Sequence, residues 1–262
     1  MRKFSLQSAL SQGPSSSPNG HPLSILFTRL LDNCLNITRS LLAQDCLLCA
    51  AKAGDAPLCG ACKAALPYLA GSACPCCALP TLAGEMCGRC LSDPPAFDRT
   101  HAVFSYQFPL DRLLHSYKYG GQLALAGLFA DALLERVIDD QPDLVVPMPL
   151  HRSRLRERGF NQSAELARLL ARRMALGCEL AGCDKLRDTP PQAALPWKQR
   201  RANVRGAFSC ALDLAGKRVA LVDDVMTTGA TLHEVAKVLK QRGAVEVTAW
   251  VVARTLPDAA AL

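Results

Sequence analysis

Asp223 and Asp224, followed within a few residues by Thr227-Thr228-Gly229-Ala230-Thr231, carry the clearest chemistry in this chain. Two adjacent carboxylates can accept hydrogen bonds from two vicinal hydroxyls. The N–H groups and hydroxyls of a Thr- and Gly-rich turn at a helix N-terminus can cradle a phosphate. Together they make a site for a sugar that carries a phosphate. The apolar run 219–222 ahead of the acids reads as a buried strand, and 231–241 as the helix that the turn opens. A strand, a polar turn and a helix cap are the plainer reading, but two acids at a strand's carboxyl end are poor turn chemistry without a ligand. No Gly-Lys-Ser/Thr is present, which excludes a Walker loop. No G-x-G-x-x-G follows a strand, which excludes a dinucleotide fingerprint.

Cysteine spacing supplies the second chemistry. The chain has 13 cysteines in 262 residues, and eight of them form four C-x-x-C knuckles. These are Cys46/Cys49, Cys59/Cys62, Cys74/Cys77 and Cys87/Cys90. The second four repeat the first four at an offset of 28 residues, with nine residues between the knuckles of each half. That is an internal duplication. A C-x-x-C turn aims two thiolates at one ion, and two such turns supply the four-thiolate tetrahedron that zinc prefers. Such sites have no open position, so the expectation is structural zinc. Disulfides are the weaker reading, because the chain shows no secretory signal. Sequential pairing of knuckles gives two ribbons, and cross-bracing is the alternative. Cys76, inside the third knuckle, reads as a spare thiol. Cys34, Cys178, Cys183 and Cys210 lie outside the pattern and read as ordinary thiols.

The elements around these residues alternate. Strands are expected over 102–108, 144–150, 219–222 and 245–252, and helices over 110–118, 123–138 and 161–175. Short, β-branched, apolar strands interleaved with helices imply a parallel α/β sheet, whose ligands sit beyond the strands' carboxyl ends. The domain plan is a flexible tail and a helix over 1–43, a zinc module over 44–92, a linker at Pro94-Pro95 and an α/β domain over 97–256. The first 20 residues are rich in Ser, Pro and Gly, and no apolar run reaches membrane-span length, so the expected location is cytoplasmic. Net charge is +7, but 13 Lys or Arg face 5 Asp or Glu between His151 and Gly206. The surplus is local, which points to anionic chemistry there rather than to a generally basic surface.

The Asp pair with its Thr-Thr-Gly-x-Thr turn resembles the phosphoribosyl-pyrophosphate (PRPP) motif of the type I phosphoribosyltransferases. More of the chain then falls into line. The duplicated cysteines, Lys118-Tyr119-Gly120, Val-Pro-Met-Pro-Leu, Arg158-Gly-Phe-Asn-Gln162, Thr189-x-x-Gln192 and Arg201-x-Asn203 are together similar to the ComF family, including its GntX-like members. The resemblance implies a type I phosphoribosyltransferase domain behind a double zinc ribbon. It implies that Asp223 and Asp224 hold the ribose and that residues 227–231 hold the 5′-phosphate. The loop after the first core strand would hold pyrophosphate, with Arg152, Arg154, Arg156, Arg158 and Gly159 as candidates and Arg158 acting in catalysis. A flap would carry Arg187, Thr189, Gln192, Arg201 and Asn203. PRPP would arrive with Mg²⁺, and the acceptor would be a nucleobase or another amine. Family members are linked to natural competence, single-stranded DNA and the use of DNA as a nutrient.

Two functions are compatible with these residues. One is an enzyme that transfers ribose phosphate to or from a base. The other is a non-catalytic PRPP sensor whose zinc module docks DNA or a DNA-uptake protein. The module holds only Lys52, Lys63 and Arg89 as basic residues between Cys46 and Cys90, too few to grip a phosphate backbone alone. Aromatics for base stacking are sparse near the basic segments. The intact acidic pair favours the enzyme.

Overall fold

The computed structural model describes residues 44–189 and 202–257. The expected tail and helix over 1–43, and the flap positions Gln192 and Arg201, lie outside the described residues. From Gln44 onward the chain forms one compact unit.

The Cys-rich segment has little regular structure. It contains a two-stranded ladder of β1 (Gln44–Asp45) and β2 (Lys52–Gly54), and two single-turn helices, α1 (Gly60–Ala64) and α2 (Gly88–Ser92). Each short helix follows directly on a knuckle cysteine, Cys59 or Cys87. So little backbone pairing cannot fold by itself, which is why this segment leans on metal and on neighbouring core.

The remainder is an α/β sheet. In chain order come β3 (Arg99–Ser105), α3 (Leu110–Tyr119), α4 (Ala124–Val137), β4 (Leu144–Pro147), α5 (Arg152–Arg158), α6 (Gln162–Met174) and β5 (Gly177–Cys178). They are followed by β6 (Cys183–Lys185), β7 (Phe208–Cys210), β8 (Arg218–Met226), α7 (Ala230–Gln241) and β9 (Glu246–Arg254). Five strands pair in the order β3-β9-β8-β4-β5, all parallel. β6 and β7 pair separately as an antiparallel ladder. From β4 the chain moves outward to β5, and from β8 it moves the other way to β9. The crevice between the carboxyl ends of β4 and β8 is therefore the topological switch point, where such sheets bind ligands.

Both faces of the sheet are covered, as parallel strands require. Ala220, Val222, Trp250 and Val252 pack with α3, α4 and α6 on one face, and Val219, Leu221, Val247 and Val251 pack with α7 on the other. Each half of the Cys-rich segment joins one of these cores. Cys46, Leu58 and Leu66 belong to the first, and Cys74, Cys76, Cys77 and Cys90 to the second.

Three expectations shift. The strand placed over 102–108 runs from Arg99 to Ser105, because its one partner in the sheet, β9, ends opposite Ser105 at Arg254. β8 does not stop at Val222; its pairing with β9 carries on through Asp223 to Met226, so the acids lie within the strand. The basic loop after β4 is instead a helix, α5, capped by His151 through Ser153 N–H and closed by Gly159 at φ +79°.

Because Leu66 is shared between the Cys-rich segment and the α/β core, Leu66→Ala should destabilise the whole compact unit by about 2–5 kcal/mol in denaturant unfolding, with zinc content retained. A change confined to the Cys-rich segment would contradict a shared core.

Candidate functional site

The acidic pair sits in the middle of the sheet, at the switch point. Asp223 Oδ1 accepts hydrogen bonds from Ser163 Oγ at 3.1 Å and from the Asp224 N–H at 2.9 Å. Asp224 Oδ1 accepts from the Val225 N–H at 2.8 Å, and its Oδ2 lies 2.7 Å from Lys118 Nζ. That ion pair is close but poorly directed, and it leaves Oδ2 without a well-aligned hydrogen bond. Both carboxylates are buried. Burial, together with the neighbouring Asp224 charge, pushes the Asp223 carboxyl up to about 7, against the pull of Lys118. Burial alone would lower the Lys118 ammonium, but Asp224 and Asp223 hold it above its ordinary value.

The turn after β8 follows immediately. Thr228 Oγ1 accepts from the Ala230 N–H at 3.1 Å, and Gly229 caps α7 at φ +79°. The left-handed angle at Gly229 favours glycine, and a Cβ there would also push against the end of the Met226 side chain, 2.8 Å away at Cε. Thr227, Thr228, Gly229, Ala230 and Thr231 thus stand at the N-terminus of a 12-residue helix, where the helix dipole favours an anion.

What holds this turn from behind comes from the end of β9 and from the Cys-rich segment. Arg254, 1% exposed, donates from Nε to the Cys77 carbonyl at 2.8 Å. Its Nη1 donates to the carbonyls of Met226 at 3.1 Å, Thr255 at 2.7 Å, and Thr227. Arg89, between Cys87 and Cys90, donates to the Thr228 carbonyl at 3.2 Å. Thr100 Oγ1 donates to the Cys76 carbonyl at 2.6 Å. Burial lowers the Arg254 guanidinium to about 10, still a cation at neutral pH.

The arginines of α5 do not converge. Alternate residues of a helix point in different directions. Arg152 and Arg156 are exposed, and Arg154 pairs with Glu157 at 2.8 Å. Arg158 turns toward the switch point: it donates to Gln162 Oε1 at 3.0 Å and to the Tyr119 hydroxyl at 2.9 Å, with its guanidinium over the Tyr119 ring. Its buried Nε has no partner among the described residues. From the flap region, Arg187 donates to the Arg205 carbonyl, Thr189 is buried with no partner for its hydroxyl among the described residues, and Asn203 is half-buried.

Four side chains stand here that the motif alone does not assign. Lys118 is the ion-pair partner of Asp224, and Ser163 orients Asp223. Lys185 lies within electrostatic reach of Asp223, Arg154 and Arg158, and burial lowers its ammonium. Asp188 accepts from Ser153 Oγ at 2.5 Å and faces His151 and Arg154, which keeps its carboxyl below the ordinary range. Lys118 had a sequence signal, the Lys-Tyr-Gly end of a helix. The others had none at short range.

The thiols resolve the pairing of knuckles. Cys46, Cys49, Cys59 and Cys62 place their sulfurs within 4.8 Å of one another, and so do Cys74, Cys77, Cys87 and Cys90. The pairing is sequential and the ribbons are two. Zn–S bonds of about 2.3 Å in a tetrahedron set sulfurs roughly 3.8 Å apart. Cys49–Cys59 and Cys77–Cys87 sulfurs are 3.7 and 3.6 Å apart, so both clusters fit a structural zinc ion. Cys76 stays outside the second cluster, with its sulfur 3.9 Å from the Phe97 carbonyl.

Comparison with known proteins agrees with this anatomy. Residues 159–259 match the phosphoribosyl transferase domain and residues 37–91 the double zinc ribbon domain. The chain is 35% identical over 176 residues to the DNA utilization protein YhgH of Escherichia coli O157:H7, covering 64% of this chain and 78% of that one. It is 32% identical over 219 residues to competence protein F of Haemophilus influenzae, covering 80% of this chain and 90% of that one. The chain belongs to the ComF family. A more distant ComF-family relative is the competence protein ComFC of Bacillus subtilis, 27% identical over 203 residues, covering 72% of this chain and 80% of that one. The double ribbon and the parallel sheet together are the fold of this ComF-family chain. Among its described residues, no helix is long and apolar enough to cross a membrane.

The raised Asp223 carboxyl has a measurable consequence. The folded state binds this proton more tightly than the unfolded state, so the contribution is present below 3.8 and is lost as pH rises through about 7. Unliganded, zinc-loaded Asp223→Asn should therefore gain thermal stability relative to the native chain as pH rises across that window. A difference that stays flat from pH 4 to pH 8 would contradict the burial of an ionisable Asp223.

Proposed function

We propose that this chain binds Mg-PRPP at the switch point and transfers ribose phosphate to or from a nucleobase or a similar amine. The observation that carries this reading is the continuity of the site along one element. Asp223 and Asp224 lie on β8, and the next turn presents Thr227–Thr231 at the start of α7. Ribose hydroxyls and a 5′-phosphate need these groups at this separation. Arg158 and Lys118 bring positive charge to the same crevice, on the side where the leaving pyrophosphate would lie.

In the forward direction the acceptor nitrogen forms a bond to C1 of the ribose, the C1–O bond to pyrophosphate breaks, and the acceptor's proton passes to solvent or to the leaving group. Positive charge grows at C1 and negative charge on the pyrophosphate. Mg²⁺ travels with the substrate and neutralises part of the pyrophosphate charge. The chain's own residues fix the ribose through Asp223 and Asp224 and stabilise the leaving group through Arg158, with Arg154 and Lys185 near by. Binding in this way requires Lys118 to yield Asp224 Oδ2 to a ribose hydroxyl, or to bridge it. The relatives are named for DNA utilization and for competence, which supports that setting for the reaction. A cytoplasmic location, with single-stranded DNA or DNA-uptake proteins as partners, belongs to the same reading.

A second reading, binding without turnover, is favoured by one observation. Lys118 engages Asp224 at 2.7 Å, so part of the ribose-binding carboxylate is taken by the chain itself. A sensor with this contact would bind PRPP more weakly and release it unchanged.

Pyrophosphate release from Mg-PRPP, followed across a panel of nucleobases, separates the two. Release that depends on one base and is lost in Asp223→Asn/Asp224→Asn is the expected result, with a drop of at least 100-fold. PRPP binding without release on any base would support the sensor and overturn the transferase on that panel.

A further inference from the structure

We propose that Cys183 and Cys210 are a redox-active pair that closes reversibly into a cross-strand disulfide at the base of the β6–β7 ladder. The two residues face each other directly in the ladder, and their sulfurs are 3.1 Å apart. The Ala211 N–H donates to the Gly182 carbonyl and the Leu186 N–H to the Ala207 carbonyl. Those pairs are therefore the hydrogen-bonded ones, and Cys183/Cys210 falls on the closer, non-hydrogen-bonded type. There the Cα atoms stand about 4.5 Å apart, inside the span that a disulfide bridges.

The register is fixed from outside the pair. Phe208 is buried in the core beneath α7. Arg242, at the C-terminal end of α7, donates to the carbonyls of Ala211 at 3.3 Å and Leu212 at 3.1 Å. Gly182, at φ +87°, lets Leu212 approach to where a Cβ would stand. A one-residue slip would put Cys183 and Cys210 on opposite faces and expose Phe208, so the two thiols are held opposite each other.

Their place gives the bond a consequence. Lys185, two residues beyond Cys183, has its ammonium over the Phe208 ring and within reach of Asp223 and Arg158. Asp188 lies three further on, against Ser153. A covalent tie at the ladder's base fixes β6, which carries Lys185 and leads on to Asp188. The pair is separate from the zinc clusters and does not depend on PRPP being the ligand.

The oxidant is a disulfide, small or protein-borne. Cys183 donates its proton toward the Cys210 sulfur, an arrangement in which Cys210 attacks first and Cys183, whose thiol burial raises, resolves. Cys210 attacks one sulfur of the external disulfide, that S–S bond breaks, and one thiolate leaves. Cys183 then loses its proton, attacks the Cys210 sulfur of the mixed disulfide and expels the second thiolate. Two protein thiols become one disulfide, and the external disulfide becomes two thiols.

The test equilibrates the zinc-loaded full chain with oxidised or reduced glutathione, blocks free thiols with an alkylating agent and identifies linked peptides by mass spectrometry. The expected result is one peptide joining Cys183 to Cys210 under oxidised glutathione. It reverts under reduced glutathione, with zinc content unchanged and amide exchange slowed at 183–185 and 208–210. Cys183→Ser should lose the linkage and keep the zinc. Recovery of both residues as free thiols or as separate glutathione adducts, in folded zinc-loaded protein, would overturn the proposal. So would linkage of either one only to ribbon cysteines.

Discussion

A guanidinium leaves water only where carbonyls or carboxylates take its N–H groups, and the carbonyls around Arg254 come from two modules at once. Cys77 belongs to the second ribbon, Met226 ends β8, and Thr227 opens the turn that would hold a phosphate. The turn's backbone is thus braced against a metal-binding knuckle rather than against more sheet. Arg89 adds a second tie, from inside the same ribbon to Thr228. The same Cys-rich segment also lies along the edge of the sheet, where Leu69 N–H donates to the Val103 carbonyl and Ser105 N–H to the Pro67 carbonyl. The ribbon acts as the floor of the site, and its order and that of the turn are one property.

The front of the site is governed by charge. Asp223 and Asp224 are adjacent, buried and within one strand, so both cannot ionise without help. Lys118 supplies it from the end of α3, Ser163 supplies a hydrogen bond from α6, and Arg158 and Lys185 complete a ring of positive charge. A ligand that brings two hydroxyls and a phosphate would replace these contacts with its own. The switch point places β4 and β8 side by side, and that adjacency lets groups from α3, α5, α6 and the β6 strand meet at one carboxylate pair.

Much of this was legible in the sequence, and the gaps have physical causes. The acidic pair, the Thr-rich turn and the duplicated knuckles are local patterns, read without knowing the fold. The parallel sheet followed from strands alternating with helices. Knuckle pairing stayed open because spacing allows both arrangements, and only the placement of sulfurs decides it. The basic stretch was read as a loop because its charges suggested exposure, yet Arg-rich sequence also has good helix propensity, and α5 forms. Arg254 falls just beyond the strand expected over 245–252 and carries no pattern of its own in the sequence. Three of its four carbonyl partners lie 27, 28 and 177 residues away, a distance over which sequence pattern carries no signal. Cys183 and Cys210 looked ordinary for the same reason, since register alone brings them together.

The most direct test of the bracing is a calorimetric titration of Mg-PRPP into zinc-loaded protein, native and Arg254→Lys. Lysine keeps the charge and loses the fork that reaches both modules. The account predicts saturable binding by the native chain and at least tenfold weaker binding by a folded, zinc-replete variant. Equal affinity in the two, or no binding by the native chain, would contradict it.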